Sequence, residues 1–234
     1  MFLGIMQPYF LPYIGYFQLL NKCDEFVIYD DIEYTKRGWI NRNYFLQNKK
    51  PTLFTVPLKK DRDTLKIKER VLADNYDPKS LLRRFDGAYR KSSQFQAVYP
   101  VLEKICLHEE KNLFGFIHFS LIQIMNYLDI ETPIHLSSEI DVDRELKSEL
   151  RVLDICQKLD ASSYINPIGG VDLYNPEEFK KNGMALYFLK PRLTSYNQFD
   201  ATFVERLSII DVLMFNSKGD VKNMLVKDFG LLKA

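Results

Sequence analysis

Few cysteines, few histidines, almost no net charge and no long apolar run mark this chain, and each shortage closes off a class of function. Thirty-two Lys and Arg against 31 Asp and Glu leave a formal charge of +1 over 234 residues. No overall field therefore draws nucleic acid or an anionic membrane to the protein, and only a local basic site stays open. No stretch reaches the roughly 20 apolar residues that span a bilayer. The longest apolar-rich run, Leu113 to Met125, is interrupted by His118, Ser120 and Gln123. Met1 to Ile5 has neither the length nor the charged flank of a signal peptide. The expectation is a cytoplasmic protein with no membrane span and no nucleic-acid partner.

Cys23, Cys106 and Cys156 are odd in number and far apart, which argues against a disulfide framework and reads as three small core hydrophobes in a reducing compartment. His108, His118 and His135 fall at no metal-ligand spacing with one another or with a cysteine, so no metal site is expected. Repeats, low-complexity tracts and Gly/Ser linkers are missing too. The whole chain, 1–234, reads as one α/β domain, with a helical segment at about 77–130 inserted or packed against the sheet.

What is present is a chain 46% hydrophobic and 27% charged, enough to bury a sizeable core. Phe2 to Met6 and Phe26 to Tyr29 are short apolar runs stopped by polar residues, with a helical stretch at about Ile14 to Cys23 between them. Strand, turn, helix, strand predicts a Rossmann-like, mostly parallel sheet. Leu53 to Leu58, then Leu65, Ile67 and Val71, alternate enough for an extended strand or hairpin. Asp77-Pro78 opens a helix carrying Leu81, Leu82, Phe85, Ala88 and Tyr89 on one face, and helices over Val98 to Leu107 and Asn112 to Leu128 follow. Strands return at Ile134 to Leu136, Ser163 to Ile165 and Ala185 to Leu189. Between them Asp143 is expected to cap a helix with Leu146, Leu150, Leu153, Cys156 and Leu159 on one face, and Asn175-Pro176 to open a short one. Arg206 to Phe215 is the last predicted helix.

Ligands of open α/β sheets bind beyond the carboxyl ends of the strands. Four polar segments sit there: Gln7 to Gly15, Asp30 to Asn43, Asn166 to Gly170 and Lys190 to Gln198. In the first, Gln7, Tyr9, Tyr13 and Tyr16 are interleaved with Pro8, Pro12 and Gly15, which suits a flat or anionic ligand at a helix start as well as a rigid turn. In the second, Asp30 and Asp31 follow a buried strand, where desolvation would shift a carboxyl toward a general base; a turn carboxylate is the plain alternative. Lys36, Arg37 and Arg42 alternate with Tyr34, Trp39 and Asn41. Arginine forks match phosphate oxygens and aromatic faces stack on bases and sugars, so this set suits a nucleotide-linked sugar. Asn166, Gly169 and Gly170 lack the spacing of a dinucleotide loop. Tyr196 and Gln198, with Asp211, are polar residues among apolar segments. No residue pattern names a cofactor.

The segment Gln7 to Tyr16 resembles a degenerate nucleotidylyltransferase signature in which two histidines flank a glycine; Tyr13 and Tyr16 stand at the histidine positions and cannot supply their cation. Three longer segments, Gln7 to Tyr16, Tyr34 to Asn43 and Leu207 to Asn216, resemble the hallmarks of the WbqC-like protein family, a resemblance that spans essentially the whole chain. That family occurs among bacterial genes for O-antigen and other surface polysaccharides. The resemblance implies work on sugar precursors, with a small-molecule nucleotide sugar as partner. Three readings follow: acyl or aminoacyl transfer to the amine of a nucleotide-linked deoxyamino sugar, ATP-dependent adenylyl transfer, or a non-enzymatic module of polysaccharide assembly.

Overall fold

The computed structural model describes residues 1–199 and 202–234. Strand β1 (Phe2–Met6) leads through helix α1 (Ile14–Lys22) to β2 (Glu25–Ile28), which pairs parallel to it with Leu3 opposite Glu25 and Met6 opposite Ile28. A hairpin of β3 (Arg42–Gln47) and β4 (Lys50–Thr55) follows, then the helices α2 (Pro78–Tyr89), α3 (Phe95–Cys106) and α4 (Leu113–Leu128). Next come β5 (Ile134–Leu136), α5 (Ser148–Lys158), β6 (Ser163–Pro167), α6 (Pro176–Lys181) and β7 (Ala185–Pro191). The chain closes with α7 (Ile209–Phe215), α8 (Lys218–Lys227) and β8 (Phe229–Lys233). The sheet order is β5-β2-β1-β6-β7-β8, parallel except for β8 against β7, so the fold is the mostly parallel, Rossmann-like α/β architecture that the sequence predicts.

Alternation along the strands assigns their side chains to two cores. Leu3, Ile5, Val27, Tyr164, Leu186 and Phe188 pack on one face with Val152, Ile155 and Cys156 of α5 and Phe179 of α6. Phe26, Ile28, Ile165 and Leu189 face the other way, onto α1, the helices α2 to α4 and the hairpin. A strand covered on both faces must be apolar throughout, which is why these segments are continuous apolar runs. Gly4 lets α1 and β2 close in: a Cβ there would lie 2.7 Å from Cys23 Sγ and 2.9 Å from the Phe26 ring. All three cysteines are buried and unpaired, and burial raises their thiols, those of Cys23 and Cys106 to about 12.

Asp77 and Asn175 open α2 and α6 as expected, their side chains accepting amide hydrogens of the first turn, and Asn112 caps α4 in the same way. Other expectations are corrected. The helix assigned to Asp143 begins at Ser148; the Asp143 carboxylate instead accepts the Glu145 amide in a turn, and Leu150 is exposed while Val152 and Ile155 enter the core. Leu65 to Val71 forms no strand of its own, because Leu65 and Ile67 bond back to the backbone of Tyr34 and Ile32 around a 3-10 turn. The hairpin's first strand starts at Arg42, inside a segment read as loop, and turns on Asn48 and Lys49, both at positive φ. The last predicted helix starts at Ile209, capped by Ser208, because Arg206 has φ +60. Helix α8 and strand β8 were not predicted.

Candidate functional site

The connections out of β1 run toward β2 and β5, whereas β6 connects toward β7, so the sheet's switch point lies between β1 and β6. Crevices open at the carboxyl ends of strands at such points. Here the crevice is a cleft of about 1120 Å³ whose walls include Gln7 beyond β1, Asn166 at the end of β6, and Tyr9, Tyr13, Trp39, Gly169, Gly170 and Arg206. An adjoining compartment of about 480 Å³ shares Tyr9, Tyr13, Trp39, Gly169 and Arg206 and adds Asn43 and Lys190. All four polar segments contribute to this space.

The walls are pre-formed by local chemistry. Tyr13 stands at the N-cap of α1 and its ring lies on Gly15, where a Cβ would come within 2.4 Å of it; any other residue at 15 would push Tyr13 into the cleft. The Tyr9 hydroxyl donates to Gln7 Oε1 at 3.4 Å and its ring packs at 5.8 Å from that of Tyr16. Asn166 accepts from the buried Tyr164 hydroxyl at 3.0 Å and donates to the Pro167 carbonyl at 3.0 Å. Its amide lies so close to Gly170 that a Cβ there would clash at 2.1 Å. Trp39 is 47% exposed, unusual for a large aromatic with no structural need to be in water.

Other predicted site residues lie elsewhere. Tyr16 is fully buried and its hydroxyl donates to the Gln7 carbonyl at 3.2 Å, so it braces the turn and cannot reach a triphosphate. Burial raises its phenol well above the ordinary value. The Tyr34 hydroxyl donates to Asn41 Oδ1 at 2.8 Å, and Asn41 donates to the Val56 carbonyl at 2.7 Å, with Arg70 over the Tyr34 ring. These two fasten the 30–43 loop to Val56, just beyond β4. Lys36 pairs with Asp63 in solvent. Arg42 donates to the Gly38 carbonyl at 2.8 Å and to that of Arg37, which holds φ +62, and stacks on Trp39 at 5.7 Å. None of the three cations expected to hold a diphosphate is among the residues lining the cleft; Arg42 shapes the Trp39 loop and Lys36 is paired in solvent. Tyr196 and Gln198 both donate to buried Asp211.

Asp30 and Asp31 are both 1% exposed and are not among the residues lining the cleft. Ser137 donates to Asp30 at 2.9 Å and to Asp31 at 2.6 Å, and the Ser138 amide bonds Asp30. Arg144 and Arg151 each reach Asp31 Oδ2 at 2.6 Å. Burial alone would raise the Asp31 pKa, but the bonds from Ser137 and Arg151 and the guanidinium charge outweigh it and hold the carboxyl below its ordinary value. This reverses the upward shift expected of a general base.

The sequence reading missed Tyr29, Glu149, Asp172, Tyr174 and Arg206, all on the cleft wall. Lys190 lay inside a predicted segment without being singled out. Arg206 was assigned to a helix that its positive φ forbids, and Glu149 to the interior of a helix that it in fact opens. A basic residue followed two positions on by the Ser208 cap was the one available signal.

The model of the WbqC-like protein family matches residues 7–223. The uncharacterised protein Rv1507c of Mycobacterium tuberculosis is 28% identical over 225 residues, covering 95% of this chain and 96% of that protein. No solved structure matches significantly. The family match runs from Gln7, at the head of the cleft, through the last wall residue, Arg206, into α8: the chain belongs to the WbqC-like protein family.

Proposed function

We propose that the cleft binds a nucleotide-linked sugar and that the protein is a transferase of bacterial surface-polysaccharide precursor synthesis. It moves an acyl or aminoacyl group from an activated donor to the amine of a nucleotide-linked deoxyamino sugar. One observation carries the reading: at the strand ends of the switch point, the rings of Tyr9, Tyr13 and Trp39 stand beside the cations Lys190 and Arg206. Aromatic faces stack on a base or sugar ring, and a guanidinium pairs with phosphate oxygens. The cleft's volume suits a ligand of this size. The setting of WbqC-like proteins among surface-polysaccharide genes supports the same substrate class. In this reading Arg206 and Lys190 take the phosphate role first considered for Lys36, Arg37 and Arg42, and carboxylates on the cleft wall replace Asp30 and Asp31.

A thermal-shift series with UDP-, dTDP-, GDP- and CDP-linked sugars tests it. At a concentration tenfold above Kd one of them raises Tm by about 3–6 °C. Arg206→Ala and Trp39→Ala, both at exposed positions, diminish that shift without lowering the Tm of the free protein. Absence of stabilisation by every nucleotide sugar at millimolar concentration overturns the reading.

A further inference from the structure

The cleft is divided by charge. Its smaller part, bounded by Pro12, Asn43 and Pro191, carries Lys190 and Arg206 and no carboxylate among its lining side chains. Its larger part, bounded by Tyr29, Ser148 and Tyr174, carries Glu149 and Asp172, with Arg206 shared between the two. Among the described residues neither Glu149 nor Asp172 pairs with these cations, and Arg206 lies 3.6 Å from its neighbour Glu205; Glu149 is engaged instead by backbone, its Oε1 accepting the Asn175 amide. That bond ties the start of α5 to the segment before α6 and fixes the direction of the carboxylate.

The rest of the larger part is equally ordered. The Tyr174 hydroxyl lies 3.1 Å from that of Tyr164, which in turn donates to Asn166 Oδ1. Asn166 is 6% exposed and donates one amide hydrogen to the Pro167 carbonyl, which leaves that amide a second donor on the cleft wall. A fixed carboxylate on the wall that also carries Tyr174 attracts an ammonium by charge and a charge-assisted hydrogen bond, whereas the Tyr29 ring is already taken by the Arg151 guanidinium, 5.1 Å from its centroid. A neutral hydroxyl in the same place gains only an ordinary hydrogen bond.

We infer that Glu149, assisted by Asp172, selects an amine on the ligand: the nucleoside diphosphate occupies the part with Lys190 and Arg206, and an ammonium-bearing sugar extends into the part with Glu149. This rests on the nucleotide-sugar reading above and adds to it an orientation and a discriminating residue. The selection is electrostatic and directional, so it separates an amino sugar from its hydroxyl counterpart without altering the grip on the diphosphate.

Titration calorimetry on the full chain with UDP, UDP-glucose and UDP-glucosamine, and with the matching dTDP set, tests it in wild type, Glu149→Gln, Asp172→Asn and Arg206→Ala. Wild type prefers the amino sugar over its hydroxyl counterpart by about tenfold or more. Glu149→Gln lowers that preference to about threefold or less and leaves affinity for the nucleoside diphosphate within about twofold. Arg206→Ala weakens all three ligands. Equal binding of amine and hydroxyl by wild type, with the diphosphate still bound and still lost in Arg206→Ala, overturns the amine selection and leaves the nucleotide reading standing. Equal weakening of all three ligands in Glu149→Gln makes that residue a brace and likewise overturns the selection. No binding of any UDP or dTDP compound, with GDP- and CDP-linked sugars equally unbound, overturns both. Should Glu149→Gln fail to fold, Asp172→Asn decides, because its side chain is exposed: an unchanged preference there overturns the proposal.

Discussion

Two buried aspartates lie on opposite sides of this molecule's chemistry. Asp31 is met by two guanidinium groups and a hydroxyl, whereas Asp211 is met, among the described residues, by neutral donors: the hydroxyls of Tyr89 at 2.9 Å and Tyr196 at 2.7 Å and the amide of Gln198. Burial raises both carboxyls. At Asp31 charge overturns that rise, and at Asp211 three neutral hydrogen bonds only reduce it, so its pKa stays above the ordinary carboxylate value. A full set of hydrogen bonds satisfies a buried carboxylate geometrically; only an opposite charge makes its ionised form comfortable. Asp31 belongs to an ionic clamp joining the loop after β2 to α5. Asp211 belongs to a neutral knot, in which Tyr89 also accepts from the Leu46 amide and so ties α2, α7 and the hairpin together.

The sharpest way to break the comparison is Asp31→Asn. It leaves the Arg151 guanidinium, whose side chain is 10% exposed, without its counter-charge, at an expected loss of about 3–5 kcal/mol. A urea midpoint at pH 7 shifted by less than about 1 kcal/mol equivalent would mean that the clamp contributes no more than a surface pair. Asp211→Asn removes an acceptor but strands no ion, so its expected loss is smaller, about 1–3 kcal/mol. If the two substitutions rank in the opposite order, the distinction between clamp and knot fails.

The smallest effect is in pH, and its sign separates the two sites. Asp31, with a depressed folded pKa, contributes stability that is present above the ordinary carboxylate pKa of about 4 and is lost as pH falls through the depressed value. Asp211, with a raised folded pKa, contributes stability that is present below about 4 and is lost as pH rises through the raised value. Between pH 7 and pH 4 the gap between wild type and Asp211→Asn therefore widens, by on the order of 1 kcal/mol. The gap to Asp31→Asn narrows only below about pH 4. Denaturant titrations of the three proteins at intervals between pH 3.5 and 7 read both trends, and parallel curves would show that neither carboxyl is shifted.

Much of the fold was legible because it rests on local signals. Asp77-Pro78, Asn112 and Asn175-Pro176 start helices by side-chain bonds to amides two or three residues away, and such bonds are written in the order of the chain. The strands β1, β2 and β6 were legible because burial on both faces demands unbroken apolar runs. The helix at Ser148 was not, because its placement follows from Arg151 reaching Asp31 across 120 residues. The same kind of distance hid half of the candidate site. Gln7, Tyr9, Tyr13, Trp39, Asn166, Gly169 and Gly170 were found because they leave strand ends. Glu149, Tyr174 and Arg206 come to the wall from the start of α5, the turn before α6 and a left-handed residue before α7.

By itself the sequence determined the parallel α/β class, the starts of α1, α2, α4 and α6, the family and the strand ends where a ligand would meet the chain. Tertiary structure alone decided which polar residues face that space and which hold the scaffold. Tyrosine, arginine and aspartate serve either purpose with the same side chain. Tyr16, Arg42 and Asp31 found intramolecular partners as the chain closed, whereas Tyr13 and Arg206 came to line the open cleft.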